Sequence, residues 1–159
     1  MSTQVSRDDE ISETVQALRR IVKTIQDYSQ QVSSEFGVTG PQLWALKTIS
    51  DHDTIPLGQL SRQMLLHPST VTGVVDRLEN KGYVTRGRDA TDRRIVTVSL
   101  TAAGKDLVKK APSPVQGKLI YGLKKMKREE LHLIHESVRR LTEIVEAENV
   151  RVTFFFDKE

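Results

Sequence analysis

Four arginines, Arg86, Arg88, Arg93 and Arg94, fall within nine residues of one another. Their planar guanidinium groups suit phosphate or carboxylate partners and can enter a narrow minor groove of a nucleic acid. Asp89 and Asp92 lie in the same stretch, so pairing within the segment stands beside pairing with an external anion; the reading adopted is that Asp92 braces one arginine and holds another outward. Just upstream, Ser69, Thr70, Thr72 and Gly73 combine short hydroxyls with a missing side chain. Such a surface can approach base edges in a major groove about 12 Å wide. The same residue types are ordinary in a first helical turn, so a purely structural role stands equally open. A third group, His132 and His135 with Glu129 and Glu136, has metal-ligand types at i, i+3 and i+4 spacing. These residues flank an apolar seam, where charged side chains form a solvated face, and no metal site is assigned. The sequence contains no nucleotide-binding loop, H-E-x-x-H or G-x-S-x-G motif, so no catalytic residue and no cofactor is assigned and the chain is read as non-enzymatic.

Periodicity supplies the elements that must carry these groups. Val71, Val74, Val75 and Leu78 form one helical face, with Pro68 in its first turn, His67 at its N-cap and Lys81-Gly82 at its end. Its outward positions are then Ser69, Thr70, Thr72 and Gly73, followed by Asp76 and Arg77, while His67 can serve as cap and phosphate donor. Leu57, Leu60, Met64 and Leu65 predict a short helix before it, joined through Leu66-His67. Earlier, Gly37 suits a left-handed cap, and Thr39-Gly40-Pro41-Gln42 reads as a capping box opening a helix through Leu43, Trp44, Leu46 and Ile49. After Gly82, Tyr83–Arg86 and Ile95–Leu100 alternate like strands and bracket a charged hairpin tip. Helices are predicted near 101–111 and 113–125, separated by Pro112 and Pro114. The fold class is mainly α with a small β-hairpin wing, a winged helix–turn–helix between terminal helices.

Those terminal helices carry the longest apolar pattern. Ile11, Val15, Leu18, Val22, Ile25, Val32 and Phe36 keep a heptad spacing interrupted at Ser29, and Leu131, Ile134, Val138, Leu141 and Val145 repeat it. A helix over residues 11–36 would reach about 39 Å, too long for a small single core to cover, so the seam of Ile11, Val15, Leu18, Val22, Leu131, Ile134, Val138, Leu141 and Val145 is assigned to a dimer interface. The division is 1–36 as an N-terminal dimerisation helix, 37–100 as the winged lobe, 101–148 as linking and C-terminal dimerisation helices, and 149–159 as a tail. Val150–Phe156 predicts a strand-like segment with three of the eight aromatic residues, whose apolar surface needs a cover.

Size and charge bound what such a chain does. At 159 residues it holds one domain, or one domain with arms, and 37% hydrophobic with 28% charged residues is globular composition. Residues 101–128 carry eight basic and one acidic side chain, between acidic ends. A polyanion-binding centre and a solvated lysine-rich helix face are both consistent with that segregation. Cysteine is absent, which excludes disulfides, thiolate metal sites and thiol-based sensing within this chain. No apolar run is long enough for a membrane span and the first ten residues are polar and acidic, so no membrane partner and a cytoplasmic location are expected.

Ser69–Thr72, Asp76 through Val84, Asp92-Arg93-Arg94 and Ser99 through Gly104, in that order, resemble the MarR (multiple antibiotic resistance regulator) family of winged-helix transcription factors. The motif match covers about residues 39–105. The resemblance implies a homodimer with terminal helices at its interface, recognition helices in successive major grooves, and wings in flanking minor grooves. Carried onto this chain, it implies His67, Ser69, Thr70, Thr72, Gly73 and Arg77 as the recognition-helix set, with Arg77 on phosphate. It implies Arg86, Arg88, Asp92, Arg93 and Arg94 as the wing set, with Arg93 as the contact and Asp92–Arg94 as the bracing pair. The partner it implies is a pseudo-palindromic duplex with half-sites about 10 base pairs apart. It further implies a repressor released by a small aromatic or lipophilic acid bound between the lobes, for which Tyr28, Phe36, Trp44 and His52 are the candidate lining residues. Gly73 stands where many members carry a larger polar or basic residue. A winged-helix protein-interaction module and a non-specific architectural DNA binder are the alternatives.

Overall fold

The computed structural model describes residues 6–150 of the chain. Seven helices and three strands follow in the order α1 (Arg7–Phe36), α2 (Gly40–Ser50), β1 (Ile55–Pro56), α3 (Leu57–Met64), α4 (Pro68–Asn80), β2 (Val84–Arg88), β3 (Val96–Leu100), α5 (Ala102–Lys110), α6 (Val115–Lys125) and α7 (Arg128–Ile144). Local chemistry sets most of these boundaries. Ser6 and Asp9 close a capping box at the start of α1, and Gly37 ends that helix at φ 65° with its N–H on the Ser33 carbonyl. Thr39 and Gln42 form the box that opens α2. The Thr101 hydroxyl accepts from the Gly104 N–H at 3.1 Å and donates to the Gly82 carbonyl at 2.7 Å, fastening the start of α5 to the turn before β2.

The hairpin is antiparallel, with Val84 opposite Leu100 and Arg88 opposite Val96. β2 therefore runs through Gly87 and Arg88, two residues beyond the predicted strand, and the turn occupies 89–95. Ile55 and Pro56 add a third strand on the far edge of β3, in the order β1-β3-β2. Proline on an edge strand costs little because its missing donor would face away from the ladder. Leu65, predicted inside the third helix, instead caps it in a left-handed conformation at φ 53° and is two-thirds exposed.

One core organises these elements. Val32 from α1, Leu43, Leu46 and Ile49 from α2, Leu60 and Met64 from α3, Val71, Val75 and Leu78 from α4, and Val84 and Val98 from the sheet pack together. Tyr28 on one side and Leu107 and Ala111 on the other join the same cluster, so it reaches past both ends of residues 37–100. The heptad seam of α1 divides accordingly. Ile25 and Val32 enter the core, while Ile11, Val15, Leu18 and Val22 remain exposed. α7 buries no side chain at all; Leu131, Ile134 and Val138 are exposed on it, and Val145 lies just past its last turn as the C-cap. Val150 is exposed, and the rest of the predicted strand-like tail lies outside the described residues.

Gly104 is the tightest point of the fold. A Cβ there would stand 2.1 Å from the Tyr83 carbonyl oxygen, a backbone atom that cannot swing aside. Gly104→Ala is expected to destabilise the protein by about 3 kcal/mol or more, through overpacking against backbone. Gly73→Ala, in a helix with nothing within 4 Å of the new methyl, is expected to stabilise it by roughly 1 kcal/mol. Urea denaturation of the two variants measures both.

Candidate nucleic-acid interface

The face in question is built from the N-terminal half of α4 and the β2–β3 hairpin. α4 presents its front turn because its other side is committed to the core through Val71, Val74, Val75 and Leu78. His67 caps it: the imidazole Nδ1 accepts from the Ser69 N–H at 3.3 Å and lies 2.7 Å from the Ser69 hydroxyl oxygen. His67, Ser69 and Thr72 are exposed, and Thr70 and Gly73 are half-buried. The Thr72 hydroxyl donates back to the Pro68 carbonyl at 2.9 Å, which leaves its oxygen lone pairs toward solvent. No acidic side chain lies in this first turn. Pro68 has no N–H, the Ser69 N–H is taken by His67 Nδ1 and the Thr70 N–H by the His67 carbonyl at 3.0 Å, so what this helix end offers an anion is its positive dipole.

The wing is held by a device that residue spacing alone does not disclose. Arg86 Nη1 donates to Glu79 Oε2 and Nη2 to Asp76 Oδ1, both at 2.5 Å, and the Arg86 backbone N–H donates to Glu79 Oε1 at 3.3 Å. Nη2 also approaches the Thr72 carbonyl at 3.4 Å. Burial penalises this guanidinium, but hydrogen bonds and charge attraction from Asp76 and Glu79 outweigh it and hold its pKa above the ordinary value. The sequence places Arg86 with the wing's outer contacts; the structure instead consumes it between the wing and α4, with its side chain 24% exposed. The signal that could have identified it is the pair of carboxylates at i and i+3 on α4, which share one helix face.

The outer part of the wing follows the expected division of labour more closely. Asp92 Oδ1 accepts from the Arg94 N–H and Nε and Oδ2 accepts from Nη2, all at 3.0 Å. The Arg94 contacts hold the Asp92 carboxyl below the usual carboxylate range. Asp89 is likewise held low, first by the Thr91 hydroxyl and then by the Asp92 and Thr91 backbone N–H groups, which closes the turn. Arg88 and Arg93 are exposed and their side chains make no hydrogen bond or ion pair among the described residues; the same holds for the Arg77 side chain on α4. A crevice of about 510 Å³ separates wing from helix, lined by Leu57, Thr72, Asp76, Arg86, Gly87 and Arg88, with Val96.

Of the four residues assigned to a small-molecule pocket, three meet at one core cluster and His52 stands apart. Tyr28 and Trp44 are core residues, and Phe36 packs against the same cluster. His52 sits at the opposite end of α2, with Nε2 3.3 Å from Gln63 Oε1, in a crevice of about 240 Å³ shared with Ser50, Asp53, Lys105 and Lys109. A cleft of about 600 Å³ lies between α1 and the start of α2, lined by Gln26, Ser29, Ser33, Thr39, Gly40 and others. Tyr28 borders Gly40, and burial pushes its phenol up to about 12, so it stays a protonated donor. Its hydroxyl is buried without a partner, as are both amide atoms of Gln116 on α6. Sequence reasoning misses Gln116, since an isolated glutamine in a lysine-rich helix carries no signal of burial.

Removing the Arg86 side chain should cost stability out of proportion to its exposure, because Asp76 and Glu79 would face each other uncompensated. Arg86→Ala is expected to lose roughly 1–2 kcal/mol, and Arg93→Ala within about 0.5 kcal/mol of nothing. Thermal denaturation of the two variants checks the difference; equal losses would mean that the Arg86 clamp contributes nothing special.

Comparisons with known proteins bear on the same region. Residues 38–96 match the family model described as MarR family. The HTH-type transcriptional regulator YcgE of Bacillus subtilis is 29% identical over 152 residues, covering 96% of this chain and 99% of that protein. The organic hydroperoxide resistance transcriptional regulator of the same organism is 31% identical over 115 residues, covering 72% of this chain and 77% of its own length. Among solved structures, a mutant of MarR from E. coli complexed with operator DNA superposes with a TM-score of 0.56 at 20% identity, covering 86% of this chain and 98% of that one.

Proposed function

Because this chain belongs to the MarR family of transcriptional regulators, we propose that it is a dimeric, sequence-specific double-stranded DNA-binding regulator, a repressor released by a small aromatic or lipophilic effector. The observation that carries the DNA reading is the arrangement around Arg86. With that arginine closing the wing onto α4, Arg88 and Arg93 stay exposed and unpaired beside a helix front of Ser69, Thr70, Thr72 and Gly73. In this reading the helix front enters a major groove, His67 and Arg77 contact phosphates, and Arg88 and Arg93 meet the backbone or the adjacent minor groove. Asp92 and Arg94 keep the turn in shape, and Arg86 positions the wing without touching DNA. The E. coli structure complexed with operator DNA shows that this fold is found on DNA.

The dimer reading rests on uncovered apolar surface. Ile11, Val15, Leu18 and Val22 on α1 and Leu131, Ile134 and Val138 on α7 are exposed in one chain, and pairing them with a second copy would bury both stripes. The segment 1–36 and the last helix then act as the dimerisation arms. The effector reading is supported by the cleft between α1 and the start of α2, lined by the polar groups of Gln26, Ser29, Ser33 and Thr39. No helix is long and apolar enough to cross a membrane among the described residues.

Selection from a random duplex pool at two salt concentrations tests the proposal. Enrichment of an inverted repeat with half-sites about 10 base pairs apart is expected, with affinity falling steeply as salt rises. Salt-steep binding without enrichment would replace it with an architectural role, and no binding would favour a protein-interaction module. On the selected operator, Ser69→Ala or Thr70→Ala should relax sequence preference, whereas Arg93→Ala should weaken all sequences alike and reduce the salt slope by about 1. Charge introduced at Leu18 and Leu141 together is expected to give monomers in sedimentation; an intact dimer would move the interface elsewhere.

A further inference from the structure

α7 carries a feature that neither DNA binding nor dimerisation uses. His132, His135 and Glu136 each offer a ligand atom, and these three atoms lie within 4.8 Å of one another. The spacing i, i+3, i+4 brings them to one face of the helix; Glu129, three residues before His132, is not part of the group. We propose that His132, His135 and Glu136 form a surface site for a divalent transition-metal ion of the zinc or nickel class.

The geometry is close to what such an ion requires. His135 Nδ1 and one Glu136 carboxylate oxygen, Oε1, are already 3.3 Å apart. Ligands about 2.0–2.2 Å from a tetrahedral centre sit roughly 3.4 Å from each other, so this edge is preformed, and the His132 ligand atom lies within 4.8 Å of both. The other carboxylate oxygen, Oε2, is held by Arg139 Nη2 at 3.0 Å, and Arg139 is in turn paired with Glu143. That contact fixes the carboxylate with its free oxygen toward the imidazoles, the part an outer hydrogen-bonding partner takes at metal sites.

Donor chemistry selects the class of ion. Two imidazoles with one carboxylate suit zinc, nickel, copper or cobalt, whereas magnesium and calcium seek all-oxygen shells. Three protein ligands leave a position for water, so the ion exchanges with solvent. The cluster is centred roughly a third of a turn around α7 from the seam of Leu131, Ile134, Val138 and Leu141, so a helix docked on that seam leaves it accessible. All of its members are at least partly exposed, which allows substitution without disturbing packing.

Equilibrium dialysis of the untagged full-length protein against zinc chloride, and separately nickel chloride, tests this, with bound metal counted by mass spectrometry. One ion per chain is expected, retained in the presence of excess magnesium. His132→Gln and His135→Gln should each abolish stoichiometric retention with unchanged helix content by circular dichroism, and Arg139→Ala should weaken it roughly tenfold. His52→Gln and His67→Gln should bind as the parent does. No retained ion, retention unaffected by either α7 histidine, or loss through His52 or His67 instead would overturn the site.

Discussion

A guanidinium shared by two carboxylates fixes the relation between α4 and the wing. Arg86 spans from β2 to Asp76 and Glu79, while its own backbone N–H is tied to Glu79, so the strand and the helix are joined both by charge and by main chain. In water such pairs are worth little, but here the arginine is three-quarters covered and its three strongest contacts act together. The clamp also offsets acidic charge on a face proposed to meet a polyanion. Were Asp76 and Glu79 unpaired, they would repel phosphates beside the very residues meant to approach them.

The two ends of the molecule obey a different constraint. A helix of 30 residues, about 45 Å long, cannot be covered by a core of this size, and only its last three turns are. Its apolar front half and the seam of α7 are stable in water only at the cost of exposed hydrocarbon or by association. The fold is thus a well-packed reading lobe with two unfinished edges, and the cleft between α1 and α2 lies where the finished part meets the unfinished one.

Elements marked by local chemistry are legible in the sequence. The capping box at Thr39, the His67-Pro68 start of α4 and the proline break after α5 each depend on neighbours within four residues, and their positions agree with the structure. β1 is invisible there because two residues, one a proline, carry no alternation; only pairing with Val98 and Thr97 makes them a strand. Arg86 looks like the other wing arginines because its partners lie seven and ten positions earlier, across a turn whose path no local rule supplies. The pocket candidates divide for the same reason: Tyr28, Phe36 and Trp44 meet at one core, whereas His52 lies at the other end of α2. The functional reading owes most to the resemblance of an ordered run of motifs, since hydroxyls at a helix start are uninformative singly.

Lys47 gives the lobe a mechanical property. Its ammonium donates to the Val108 carbonyl at 2.6 Å and to the Ala111 carbonyl at 2.9 Å, riveting the last turn of α2 to the end of α5. Immediately beyond, Pro112 and Pro114 lack the backbone donors that would continue the helix. The helical ladder is therefore interrupted between Ala111 and Val115, with α5 tied to α2 on one side of the break and Val115 and Ile120 of α6 packed back on the same core on the other.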